Sequence, residues 1–202
     1  METVSQSLSG KSFSQHGFEY LLVAHPDAAV NLKINEEKQY FYDQYGEKIA
    51  VKTKPHITIA NFLAREAMEE TIIRWIARIC NNKPTFDVAL NNFSGFPPHT
   101  VYLRVQNPKP FQQLANELKV IDNYVQSNAC SPAHLITKPH VTIARRLPET
   151  IYYKALMDYS RKTFHETFPV DELVLLRRSH QYDTCKTINI FRLQPPQKNL
   201  FN

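Results

Sequence analysis

Two octapeptides in this 202-residue chain are nearly identical. Residues 53–60 read Thr-Lys-Pro-His-Ile-Thr-Ile-Ala, and residues 137–144 read Thr-Lys-Pro-His-Val-Thr-Ile-Ala. The single difference, Ile57 against Val141, exchanges one β-branched apolar side chain for another. Each copy carries a histidine two residues before a threonine: His56 with Thr58, and His140 with Thr142. A neutral imidazole takes a proton, an imidazolium gives one, and an unperturbed pKa of roughly 6.5 keeps both forms available near neutrality. Two of them suit attack on phosphorus. One activates the nucleophile, the other protonates the leaving oxygen, and each positioned acid or base is worth about 10²–10⁴ in rate. The two hydroxyls can donate to phosphoryl oxygens as charge develops there. This chemistry calls for no metal.

The element that positions these groups is a strand. Ile57, Thr58, Ile59 and their counterparts Val141, Thr142, Ile143 are β-branched and favour extended backbone. Residues i and i+2 of a strand share a face. His56 and Thr58 therefore point one way while Ile57 and Ile59 point to a core, and the second copy does the same. Pro55 and Pro139 stand at the strand openings, where a missing N–H does least harm. One His-x-Thr arises easily by accident; two inside matched octapeptides are an internal repeat.

Around the repeat, strand patterns occupy residues 18–24, 53–62, 85–93, 100–105, 137–145, 170–177 and 184–193. Val30, Ile34, Phe41 and Tyr45 recur at helical spacing, with Asp27 placed to cap the start and Gly46 to end it. Residues 65–80 form the clearest helix, with Met68, Ile72, Ile76 and Ile79 as its stripe and Trp75 beside it. Pro110 opens a third helix striped by Phe111, Leu114, Leu118, Ile121 and Val125. A fourth runs from Pro148 to about residue 167, where Ile151, Ala155, Met157 and Tyr159 compete for the inner face. Residues 94–99 read as a turn, 127–136 as a loop, and 178–183 as the link of the closing hairpin. Helices mixed with hairpins point to an α+β fold with largely antiparallel sheets.

Composition narrows the options. The 43% apolar content fills a core, yet no run of about 18 apolar residues predicts a membrane span. Residues 1–17 are polar and Ser-rich, without the apolar centre of a signal peptide, and read as a mobile tail. Cys80, Cys130 and Cys185 are too scattered for a disulfide framework or a Cys-x-x-Cys metal site, and a reducing cytoplasm is the expected home. The net charge of +5 fits a phosphate-bearing ligand without demanding one. The glycines, Gly10, Gly17, Gly46 and Gly95, form no phosphate-cradling loop, and no Gly-x-Ser-x-Gly elbow occurs. The histidines outside the repeat, His16, His25, His99, His134, His165 and His180, have no partner threonine and no metal-ligand spacing.

The pair Pro-His-Ile-Thr-Ile and Pro-His-Val-Thr-Ile resembles the twin His-x-Thr-x signature of the 2H phosphoesterase superfamily. Within it the chain is most similar to the bacterial 2′-5′ RNA ligase and 2′,3′-cyclic phosphodiesterase family. The resemblance spans about residues 18–194. It implies an α+β fold of two pseudo-symmetric lobes, with mainly antiparallel sheets flanked by helices and the twin strands lining a central cleft. On this reading residues 18–194 are a single bilobed domain between the tail 1–17 and a C-terminal tail 195–202. The resemblance makes His56, Thr58, His140 and Thr142 the catalytic set, with no cofactor and no metal. It implies hydrolysis of an RNA-type 2′,3′-cyclic phosphate to a 2′-phosphate, with His140 as base and His56 as acid. The alternatives are 2′-5′ RNA ligation, cleavage of 2′-5′-linked oligonucleotides, or an RNA-end-binding module without turnover. The partner is then RNA or a nucleotide carrying a cyclic phosphate or a 2′-5′ linkage, no membrane is involved, and the protein is expected to be a cytoplasmic monomer.

Substrate-binding candidates flank the motifs. Lys54 and Lys138 precede the histidines at equivalent places, and Arg145 and Arg146 follow the second motif where the first has Asn61 and Phe62. The closing hairpin, near the cleft by the resemblance, adds Arg177, Arg178, His180, Tyr182 and Lys186. Tyr182 is a candidate to stack on a base or donate to phosphate, as are Phe93 and Phe96. The long N-terminal tail and the extended loop before the second motif depart from the family's usual pattern and leave substrate size open.

Overall fold

Asp27 opens the first helix as its chemistry predicts, its carboxylate accepting the Val30 N–H at 2.8 Å, and Gly46 closes it with a left-handed φ of 72°. The computed structural model describes residues 17–179 and 183–195. The elements are β1 (Gly17–Ala24), α1 (Ala28–Tyr45), β2 (Ile57–Arg65), α2 (Glu69–Cys80), β3 (Phe86–Phe96), β4 (Thr100–Val105), α3 (Lys109–Glu117), α4 (Lys119–Ser127), β5 (His134–Leu135), β6 (His140–Ala144), α5 (Glu149–Tyr159), β7 (His165–Val170), β8 (Glu172–Arg178) and β9 (Lys186–Arg192).

The nine strands among the described residues form one sheet in the order β7-β3-β4-β6-β2-β1-β8-β9, with β5 on the flank of β2. All the strand pairs are antiparallel. The sheet divides at its middle. Strands β6 and β2, which carry the two motifs, pair through a single couple, Ile57 with Val141. On either side of it lie equivalent four-stranded halves, β2-β1-β8-β9 and β6-β4-β3-β7. This is the two-lobed, mainly antiparallel α+β arrangement with the motif strands at its centre.

The helices lock the halves together. Helix α1, which links two strands of the first half, lies against β6 and β7 of the second, and α5 covers β3 and β4. Helices α3 and α4, which link strands of the second half, lie against β2, and α2 lies against β9. One continuous apolar core results, joining Ile57, Ile59, Val141 and Ile143 to Ile34, Phe41, Ile72, Ile76, Leu114, Val125 and Tyr159.

Five local expectations change. The third helical stripe holds, but the helix is broken at Leu118, whose carbonyl accepts the Ile121 N–H at 2.9 Å, giving α3 and α4. The loop before the second motif contains β5. The last helix ends at Tyr159, and its inner face is Tyr152, Ala155 and Tyr159, while Met157 is exposed. Residues 165–170 are not helix but the edge strand β7. There Phe168 and Val170 are buried and alternate with exposed neighbours, and Pro169 is tolerated because an edge strand leaves one row of N–H groups unpaired. Finally, β3 runs on to Phe96, so the turn shrinks to 97–99.

Candidate active site

A β-bulge in each motif strand extends the repeat beyond what the sequence shows. Along β1 and β2, Val23 pairs with Thr58 and Leu22 with Ala60, leaving Ile59 as the extra residue. Along β4 and β6, Tyr102 pairs with Thr142 and Val101 with Ala144, leaving Ile143 extra at the equivalent place. A bulge advances the alternation by one residue and re-aims the side chains beyond it. Asn61 and Arg145 thus return to the face of the histidines and threonines. Burial agrees with this. Ile57, Ile59 and Ala60 are buried, as are Val141, Ile143 and Ala144, while His56, Thr58, Asn61 and His140, Thr142, Arg145 are half-buried.

The Ile57–Val141 couple fixes how the motifs face each other. One step along an antiparallel pair in each direction sets His56 across from Thr142 and His140 across from Thr58. The two histidines are then diagonal neighbours, their Cα atoms about 7–8 Å apart in a regular ladder. All four side chains point away from the core, around a local twofold axis.

Each histidine is held in one tautomer. His56 Nδ1 lies 2.8 Å from the Lys54 carbonyl and His140 Nδ1 lies 2.8 Å from the Lys138 carbonyl. A carbonyl only accepts, so Nδ1 carries the proton in both rings and Nε2 is left with its lone pair. The backbone carbonyls of Lys54 and Lys138 thus orient the histidines, and the side chains of both lysines are exposed.

Beyond the motifs the two rings have different surroundings. His56 has the His25 ring at 6.3 Å between centroids, edge to face, and His25 Nδ1 donates to the Pro55 carbonyl at 3.0 Å. Lys38, 1% exposed, directs its ammonium to the Thr53 carbonyl at 2.5 Å and the Thr53 hydroxyl at 3.2 Å. Burial is the main cause that pushes the His56 pKa down to about 4, with the charges of His25, Lys38 and Arg145 adding to it against the pull of the Lys54 carbonyl. His140 instead lies against Phe96 and Tyr102, each 5.0 Å away between centroids. Its pKa is also lowered by burial, opposed by the Lys138 carbonyl.

Arg145 continues the row from the second motif, its buried Nε having no hydrogen-bond partner among the described residues. Near it, Glu19 accepts from Asn61 at 2.8 Å and from Arg178 at 2.6 Å. Burial pushes the Glu19 carboxyl up, but these bonds and the Arg178 and Arg145 charges hold it below the usual range. Arg146 is exposed, with a left-handed φ of 56° that turns the chain out of the strand.

The other candidates separate. Arg178 faces the motif side of the sheet with Glu19, but Arg177 lies on the opposite face, bonded to Glu66 and Glu69 at 2.9 Å each. Phe96 reaches His140, whereas Phe93 packs into the core on Tyr159 and Phe164. Lys186 is exposed at the start of β9. His180 and Tyr182 lie outside the described residues. Among the described residues no group of three or more His, Cys, Asp or Glu side chains is placed to hold a metal ion, no cysteine is paired with another, and no helix is long and apolar enough to cross a membrane.

Sequence reasoning missed Lys38, His25 and Tyr102. For Lys38 a signal exists: it sits four residues after Ile34, in the gap of the stripe Val30-Ile34-Phe41, where an inward position is otherwise empty. His25 and Tyr102 gain their places only through strand pairing.

Comparison with known proteins adds two findings. A family model described as the 2′-5′ RNA ligase superfamily matches residues 26–181. Among solved structures, TT0787 of Thermus thermophilus superposes with a TM-score of 0.70 at 18% identity, covering 89% of this chain and 100% of that one. Escherichia coli LigT complexed with 3′-AMP gives a TM-score of 0.63 at 18% identity, covering 88% of this chain and 98% of that one. These likenesses show a shared fold. No curated protein sequence matches.

Proposed function

The chain belongs to the 2′-5′ RNA ligase superfamily, and from that premise we propose that it opens RNA-type 2′,3′-cyclic phosphates to 2′-phosphates by two-histidine acid–base chemistry. The observation that carries this reading is the matched pair of imidazoles, each with Nδ1 tied to a carbonyl two residues back, so that Nε2 keeps its lone pair, and each on the same face as a threonine. A phosphoryl group between the motif strands meets a proton acceptor and a proton donor on opposite sides. One histidine takes a proton from water as its oxygen bonds to phosphorus. The P–O3′ bond breaks, and the other histidine protonates O3′, leaving a 2′-phosphate and a free 3′-hydroxyl. Thr58 and Thr142 donate to the non-bridging oxygens, and Arg145 adds a cation to the same row. Lys54, Lys138 and Arg146, exposed at the rim, draw the anion in. No step requires a metal.

A nucleotide-bearing partner is supported by related structures, in which Escherichia coli LigT is complexed with 3′-AMP, NADP⁺ or ATP. The test is a substrate panel read by phosphorus NMR: 2′,3′-cyclic nucleotides, cyclic-phosphate-ended oligonucleotides and 2′-5′-linked oligonucleotides. Formation of a 2′-phosphate from a cyclic phosphate is expected. A 3′-phosphate would overturn the choice of leaving oxygen. Turnover of the 2′-5′ linkage alone would move the reaction to that bond, and stoichiometric binding without turnover would make the protein an RNA-end binder.

A further inference from the structure

The twin motifs are held from below by different residues. Thr53 and Thr137 are equivalent positions of the repeat, three residues before each histidine. The Thr137 carbonyl accepts from Gln112 Nε2 of α3 at 3.1 Å, and the Thr53 carbonyl accepts from Lys38 Nζ of α1. The same anchoring bond is thus made by a neutral amide under one motif and by a buried ammonium under the other. An amide would serve for anchoring alone, as it does at Thr137. The charge is an addition, and burying one costs free energy that an amide would not.

We propose that Lys38 is a positioning residue that makes the two histidines unequal, keeping His56 neutral as the proton acceptor and leaving His140 as the proton donor. This rests on the reading of the site as a two-histidine phosphoesterase, and it reverses the assignment that family resemblance suggested. Among the described residues the charged groups acting on His56 come from three elements: His25 beyond β1, Lys38 on α1 and Arg145 after β6. All are cationic or titrate to a cation. Across from His140 on β4 stands Arg104, but it is exposed and its Nε is turned to the Asn91 carbonyl at 3.0 Å. Water screens an exposed charge and leaves a buried one largely unscreened. Among the described residues the rings packed on His140 are Phe96 and Tyr102, neither of them a cation. In the reaction, His56 Nε2 accepts the proton of the attacking water while His140, protonated at both nitrogens, gives its Nε2 proton to O3′. The histidines end with states exchanged and are reset by exchange with solvent.

The test is Lys38→Gln, which keeps a donor for the Thr53 carbonyl, removes the charge and copies the arrangement under the second motif. Imidazole titrations of His56 and His140 are followed by NMR in wild type and variant, without substrate. In the wild type His56 should titrate below His140. In Lys38→Gln the His56 midpoint should rise by about one pH unit with His140 little changed, and the acid limb of kcat/KM should move up with it. Gln112→Ala should move neither midpoint appreciably. An unchanged His56 midpoint in a folded Lys38→Gln, or a wild type in which His140 titrates lower, would overturn the proposal. The wild-type order needs no variant and no turnover, so this failure is separable from failure of the proposed reaction.

Discussion

At the scale of single residues the proposed reaction gives distinct duties to four groups, His56, Thr58, His140 and Thr142. Replacing Thr58 or Thr142 with Val keeps the β-branched shape and removes one of the hydroxyls proposed to donate to the phosphoryl oxygens. Each change should lower kcat by about 10²–10³ while KM moves less, in steady-state kinetics on a cyclic nucleotide. An equal loss carried wholly by KM would instead mark the hydroxyl as a ground-state contact. His56 also leaves a mark on stability. Its folded-state pKa is lowered from 6.5 to about 4, chiefly by burial, so between those values the unfolded chain binds a proton that the folded protein refuses. Stability therefore falls as pH drops through that window and is fully present above about 6.5. His56→Gln removes this part of the slope. Urea midpoints at about pH 7.5 and about pH 5 should differ less in the variant than in the wild type; identical differences would mean that His56 titrates alike in both states. These residues were legible in the sequence because the octapeptides repeat. Lys38, a charged residue on an apolar stripe, was not, since helical periodicity marks a position as inward without saying that it neighbours a histidine brought in from another strand.

At the scale of elements, the bulges at Ile59 and Ile143 and the strand β3 determine what surrounds the motifs. A bulge leaves no mark in an apolar run such as Ile57-Thr58-Ile59-Ala60, which is why Asn61 and Arg145 could not be assigned a face from alternation alone. The motif strands themselves were clear, as were α1, α2 and the stripe through α3 and α4, because their apolar spacing is strong. Strand β7 was hidden by its short alternation and by Pro169. Gly95 of β3 makes a local demand that its type predicts: a Cβ there would run into the Tyr152 ring and hydroxyl, and Tyr152 is fully buried. Gly95→Ala should destabilise the fold by about 1–3 kcal/mol. It should also lower activity, because the next residue, Phe96, packs on His140. Thermal unfolding and turnover measured together check both; a variant as stable and active as the wild type would show that α5 yields freely.

At the scale of the whole molecule, the twofold relation between the halves is what brings the two motif strands side by side, and the proposed reaction uses it. The halves meet at Ile57 and Val141, both fully buried, and the couple lies between the two histidines. Ile57→Ala should cost about 2–5 kcal/mol, as for any large-to-small core change. Ile76→Ala, at an equally buried site on α2, should cost about the same. Only Ile57→Ala should disturb the relation of the two imidazoles, so at equal folded fraction its kcat should fall further; equal kcat values would mean that the pairing of the halves does not set the site. The two-histidine reaction is tested by turnover of a 2′,3′-cyclic nucleotide in excess EDTA by the wild type, His56→Ala and His140→Ala. Wild-type turnover should survive the chelator and fall by about 10²–10⁴ in each variant. Turnover abolished by EDTA, or retained when either histidine is removed, would contradict the two-histidine reaction.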